Sequence, residues 1–280
     1  MPGYVLGSVL FAAFLHAVWN AIVKSGGDTQ LSTVMITTSA GALAVLLLPW
    51  LPPPAPASWP FIAASVLAQF AYYALLAAAY RHGDLSHTYP IMRGTAPLIV
   101  ATLSGALIGE ALTAARWLGI GLICGGVLGL AIQRQPRSLA PRPATAFALG
   151  NALVIASYTL IDGMGVRKSQ SPAAYTLWIF LLTGIGQLLR TWLLRRDDWR
   201  AYLRGRWSRG LAGGAGTVAS YGIALWAMTV APVALVAALR ETSILFATVI
   251  SLVVLKERVT LQRLLSTGLI AAGAVALRLA

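Results

Sequence analysis

Apolar runs of about twenty residues recur along the whole chain, separated by short stretches where charges, prolines and glycines collect. A helix needs about that length to cross a ~30 Å hydrocarbon core at ~1.5 Å per residue. Each run therefore predicts a transmembrane helix, and the breaks place ten of them at about 3–24, 31–50, 59–80, 88–109, 114–132, 145–164, 173–194, 210–230, 233–255 and 261–279. The first run has no basic residue before it and continues to Lys24, which predicts a retained span rather than a cleaved signal. Two connections are long, 134–143 and 195–209, and neither has room for a soluble domain.

Composition sharpens the picture. Hydrophobic residues make up 58% of the 280 and charged residues only 10%, with a mean hydropathy of +0.76, against about 25% charged residues in soluble domains. The formal charge of +13 would suit a nucleic-acid surface, but the basic residues cluster between spans. Connections after odd-numbered spans hold fifteen Lys and Arg, and the other side holds four: Arg116, Arg167, Lys168 and Arg278. Basic residues stay on the cytoplasmic face, so both termini are expected on the periplasmic side of a bacterial inner membrane, with no nucleic-acid partner. Between 188 and 209, Trp192, Trp199 and Trp207 alternate with arginines, a composition expected to anchor the chain at the membrane interface. Cys124 is the single cysteine and lies within an apolar span, which excludes an intramolecular disulfide or a cysteine metal cluster. No metal or cofactor is expected.

The polar positions also repeat. Arg93-Gly94-Thr95, Glu110, Thr113 and Arg116 have counterparts in Arg240-Glu241-Thr242, Glu257, Thr260 and Arg263, all displaced by 147 positions. Five identical polar residues in one ungapped register predict two related halves, 1–133 and 144–280, joined by the loop 134–143. Five spans is an odd number, so the second half enters the membrane inverted. Inverted repeats of this kind are common in secondary transporters, whose substrate sites lie where the halves meet.

Ten spans as five plus five, the run His16-Ala17-Val18-Trp19-Asn20 ending the first span, and a Glu closing the fourth and ninth spans before a Thr-started helix together resemble the drug/metabolite transporter superfamily in its EamA-type branch. The resemblance covers essentially the whole chain. Within the branch, the sequence looks most like the YddG-type exporters of aromatic and other neutral amino acids. It implies an all-α fold of two inverted five-helix repeats around a central cavity, walled by the first, third, fourth, sixth, eighth and ninth spans, with the fifth and tenth peripheral.

Helical spacing selects the side chains that share a face. Ser8, Ala12, His16 and Trp19, with Asn20 beside them, form one stripe; Gln69, Tyr73 and Tyr80 form another. The sixth span aligns Asn151, Ile155, Tyr158 and Asp162, and the eighth Thr217, Tyr221 and Met228. Polar groups in lipid need partners or water, so these stripes are expected to face protein or a cavity. Arg93 and Arg240 lie roughly 8 and 12 Å deep. An intramembrane arginine pairs or lines water, and its fork matches a carboxylate. Asp162 and Glu241 are the acids within spans, able to pair with those arginines or to hold a proton or an amine. Glu110 and Glu257, at helix ends, are expected to tie hairpins together. Pro90 and Pro97 are expected to interrupt the fourth span, and Gly3/Gly7, Gly121/Gly125, Gly125/Gly129 and Gly210/Gly214 have the spacing of close helix approach.

The expected function is export of small amphipathic metabolites, aromatic and neutral amino acids foremost, by alternating access. Candidate substrate-binding residues are His16, Trp19, Asn20, Gln69, Tyr73, Tyr80, Arg93, Tyr158, Asp162, Tyr221, Arg240 and Glu241. Proton-coupled export of lipophilic cationic drugs, resting on Asp162 or Glu241, and carriage of anionic sugar nucleotides or phosphate esters, resting on the arginines, are the competing transport readings. A membrane-embedded enzyme is not expected, because the chain has no His-Glu-x-x-His pair and no Gly-x-Ser-x-Gly elbow. The expected partners are the small-molecule substrate and the lipid bilayer, with a homodimer left open.

Overall fold

The computed structural model describes residues 1–24, 28–132, 142–253 and 260–280. Glu257 and most of the 134–143 connection lie outside them. Among the described residues the secondary structure is helical, in the order α1 (Gly3–Lys24), α2 (Thr29–Leu47), α3 (Trp59–His82), α4 (Leu85–Ile108), α5 (Ala114–Gly129), α6 (Arg142–Ser169), α7 (Pro172–Leu194), α8 (Arg196–Leu203), α9 (Trp207–Val230), α10 (Val233–Arg240), α11 (Ser243–Val253) and α12 (Leu261–Leu279). Among the described residues eight spans are long and apolar enough to cross a membrane, with α10 and α11 counted as one, and α5 is a shorter apolar helix.

The helix ends follow local chemistry. The Thr113 hydroxyl accepts the Arg116 N–H at 3.3 Å to cap α5, and the Thr260 hydroxyl accepts the Arg263 N–H at 3.3 Å to cap α12. The repeated threonines are thus N-caps, which satisfy backbone donors that a helix start leaves free. Gly109 closes α4 in the left-handed region, at φ 76°, where a side chain would be strained.

The bundle packs inward on small residues and outward on large apolar ones. A Cβ on Gly126 would stand 2.7 Å from the Ser266 carbonyl oxygen, and one on Gly273 2.7 Å from that of Gly119, so α5 and α12 touch backbone to backbone. Gly210 and Gly214 likewise seat α9 against Met35, Ser39 and Ala40 of α2. The pairs Gly3/Gly7 and Gly121/Gly125 face open space instead, so their spacing brings no helix close among the described residues. Outside, Leu46, Trp50, Leu67 and Leu193 are 66–86% exposed. Such a surface is too apolar for water and suits lipid.

Three further expectations are revised. Pro90 and Pro97 lie inside an unbroken α4, whereas the ninth apolar run breaks, between α10 and α11. There the Glu241 N–H bonds to Ala238 O and the Thr242 N–H to Leu239 O, tight turns in place of α-helical bonds. Trp199 is buried with Leu31, Val34, Met35 and Tyr202, because α8 folds back onto α2; it is not an interface anchor. Trp192 does keep a surface place, with the guanidinium groups of Arg196 and Arg200 at 4.5 and 4.8 Å from its ring.

Candidate functional site

A cavity of about 160 Å3 lies between the middle of the bundle and the end where α1 leads into α2. Ten of the twelve candidates line it: His16, Trp19 and Asn20 from α1, Gln69, Tyr73 and Tyr80 from α3, Arg93 from α4, Tyr158 from α6, Tyr221 from α9 and Arg240 from α10. Residues three and four apart on one helix fall on one face, which is how Gln69, Tyr73 and Tyr80 reach the same space. Tyr72 and Tyr89 also line it, as do Thr33, Ile36 and Thr37 of α2 and Phe180 of α7. The second and seventh runs were thus missed as walls. The signal in the second run is Thr33 and Thr37, four apart on one face, and it is weak because other Ser and Thr residues surround them; in the seventh run it is the single ring of Phe180. Neither α5 nor α12 contributes to the lining.

The wall is aromatic. Tyr72 stands 5.1 Å from Tyr73 and 6.2 Å from Tyr158, centroid to centroid, both edge to face. His16 meets Trp19 edge-on at 5.0 Å, and Phe180 meets Tyr221 at 5.9 Å. The Asn20 amide donates to the His16 carbonyl of its own helix at 2.8 Å.

The two arginines are held differently. The Arg93 Nε lies 2.9 Å from the Glu241 Oε2, with both side chains almost wholly buried. Arg240 forms no ion pair among the described residues; its guanidinium lies over the Tyr221 ring, 5.0 Å from the centroid. That cation–π contact leaves the guanidinium's N–H edges unspent.

The acids are the two candidates that do not line the cavity. Asp162 is fully buried behind it and accepts the Tyr221 and Tyr175 hydroxyls, the latter at 3.0 Å. Two hydroxyl donors supply the solvation that a buried carboxylate needs. Glu241 lines a smaller recess with Arg93 and Arg240, beyond the main cavity, and is paired with Arg93.

Polar ties close both ends of the bundle. Away from the cavity, Glu110 accepts Arg167 Nη2 at 2.6 Å and the Val233 N–H at 2.9 Å, while Arg167 also donates to the Met228 and Ala231 carbonyls at 2.8 and 3.1 Å. This cluster joins the end of α4 to α6 and to the turn between α9 and α10. Glu110 is thus a tie, as expected; its counterpart Glu257 lies outside the described residues. At the cavity end, Arg195 joins Asp28, Gln30 and Asp198. Burial opposes ionisation of Asp28, but the Leu31 N–H and the Arg195 guanidinium outweigh it and hold that carboxyl below the ordinary carboxylate value.

Comparison with known proteins bears on this geometry. The sequence pattern of the EamA-like transporter family matches residues 2–132 and 142–279. No curated protein matches the chain. Among solved structures 29 chains match, and one crystal structure superposes at a TM-score of 0.78 over 97% of this chain and 95% of its own, at 20% identity. At that identity the likeness concerns the fold alone.

Proposed function

The chain belongs to the EamA-like transporter family, a family of membrane transporters of small molecules with a two-repeat architecture, and from that premise we propose that it exports small amphipathic metabolites, aromatic and other neutral amino acids foremost, by alternating access. In this reading it crosses a bacterial inner membrane ten times, with α10 and α11 together forming one discontinuous span, α5 serving as a short one and the 19-residue α12 as the last. The halves 1–133 and 144–280 are inverted, and both termini are periplasmic, on the strength of the fifteen-to-four division of basic residues.

The observation that carries the proposal is the cavity: it joins tyrosine faces to a half-buried arginine, Arg240, that has no ion pair among the described residues. Apolar side chains gain about 25 cal/mol per Å2 on burial, and aromatic rings stack on aromatic substrates. A cation exporter needs an acid facing the cavity, and Asp162 and Glu241 are both engaged behind it. The volume of about 160 Å3 also disfavours a sugar nucleotide. Alternating access would require the Glu110–Arg167 cluster to open while the cavity end closes.

The test is efflux from proteoliposomes loaded with phenylalanine, tryptophan, a lipophilic cation or a sugar nucleotide. Phenylalanine and tryptophan should leave, and the others should be retained. Efflux confined to the cation would replace this reading by drug export.

A further inference from the structure

Amino-acid export leaves open which end of the substrate is recognised. We propose, resting on that reading, that the cavity recognises the carboxylate of its substrate and not the amine, so that aromatic and branched monocarboxylates lacking an amino group are also substrates.

The first support is the placement of donors. Arg240 lies over the Tyr221 ring, and Thr217 stands one helical turn before Tyr221 on the same face of α9. Its neighbour Gly216 packs against Trp19: a Cβ there would lie 3.4 Å from the Trp19 Cβ. Arg240, Thr217 and Trp19 therefore gather on one side of the cavity. The Trp19 Nε1 and the Thr217 Oγ1 are buried with no hydrogen-bond partner among the described residues. A buried donor left unmet costs about 1–3 kcal/mol, and a carboxylate, which accepts on both oxygens, meets such donors together with a guanidinium fork.

The second support is the lack of a counterpart for an ammonium. Among the described residues no Asp or Glu lines this cavity. Asp162 accepts two tyrosine hydroxyls, and Glu241 pairs with Arg93. An ammonium here would meet ring faces, neutral acceptors such as Asn20 and Gln69, and the Arg240 guanidinium, whose charge repels it, while the charge of Arg93 is offset by Glu241. The two ends of an amino acid are thus treated unequally: one meets a charged fork and two unmet donors, and the other meets nothing that requires it.

The experiment is competition in phenylalanine counterflow by proteoliposomes, with 3-phenylpropionate, phenylalanine amide and 2-phenylethylamine as competitors. 3-Phenylpropionate should compete within about threefold of phenylalanine, and both amines at least about tenfold more weakly, the ratio that ~1.4 kcal/mol gives. Arg240→Gln should abolish the advantage of the acid, and Arg240→Lys should keep part of it, because a point charge replaces the fork. Competition by the amines with none by 3-phenylpropionate would overturn the proposal while leaving amino-acid export intact. If phenylalanine does not move, direct uptake of radiolabelled 3-phenylpropionate decides: uptake lost in Arg240→Gln keeps carboxylate recognition and removes amino-acid export, and no uptake removes both.

Discussion

Arg93 and Arg240 occupy the same place in two copies of one pattern, yet the copies are built differently. α4 runs unbroken through Arg93-Gly94-Thr95, whereas its counterpart breaks at Glu241 and Thr242 into α10 and α11. Arg93 is ion-paired; Arg240 lies on an aromatic ring inside the cavity. The middle residue of the tripeptide is where the copies diverge. A Cβ on Gly94 would fall 2.7 Å from the Leu128 Cγ and 3.2 Å from the Cys124 carbonyl oxygen, so that position is closed to a side chain. In the second copy the position is Glu241, and its carboxylate crosses to the arginine of the first. Repetition supplies two cations within the bundle; one unrepeated residue pairs with the first and leaves the second without an ion pair among the described residues.

The largest effect is expected from breaking the pair. Glu241→Gln leaves Arg93 buried without a counter-ion, and removing one partner of a buried pair costs about 3–5 kcal/mol. The purified variant should melt well below the parent in thermal unfolding. Arg93→Met combined with Glu241→Met should recover most of that loss, since apolar replacement of both partners is often neutral. A single variant as stable as the parent would erase the contrast between the two arginines.

A smaller effect should come from the first copy. Gly94→Ala forces Leu128 aside and crowds the Cys124 carbonyl, which overpacking places at about 1–3 kcal/mol. Equal stability of Gly94→Ala and parent in the same unfolding assay would mean that the helices can part there, and that Gly94 is not what bars a second glutamate. Smallest, and equal in both copies, should be the loss of the threonine caps. Thr113→Ala and Thr260→Ala should each cost about 1 kcal/mol; a large inequality would show that the two hairpins are less alike than their capping hydrogen bonds.

Much of this was legible in the chain. The runs were legible because lipid demands length and apolarity, and ten candidate residues reach one cavity because helical spacing fixes which side chains share a face. Asp162 shares the face of Tyr158, and spacing alone could not reveal that the Tyr221 and Tyr175 hydroxyls cover it from other helices. Tyr72 was missed although it was legible: it stands three residues after Gln69 on the same face, and it lines the cavity packed against Tyr158. The break after Arg240 was harder to read: it carries neither Gly nor Pro, and its mark in the sequence is the polar run Arg240-Glu241-Thr242-Ser243, which suits the polar face of an unbroken helix equally well.

The most direct test of the central claim compares two folded proteins side by side in proteoliposomes: the Arg93→Met, Glu241→Met double variant and the single variant Arg240→Ala. The account predicts that the double variant exports phenylalanine within about threefold of the parent, while Arg240→Ala loses about thirtyfold or more, as ~2 kcal/mol for a charged hydrogen bond implies. Export abolished in the double variant and preserved in Arg240→Ala would reverse the two assignments and contradict it.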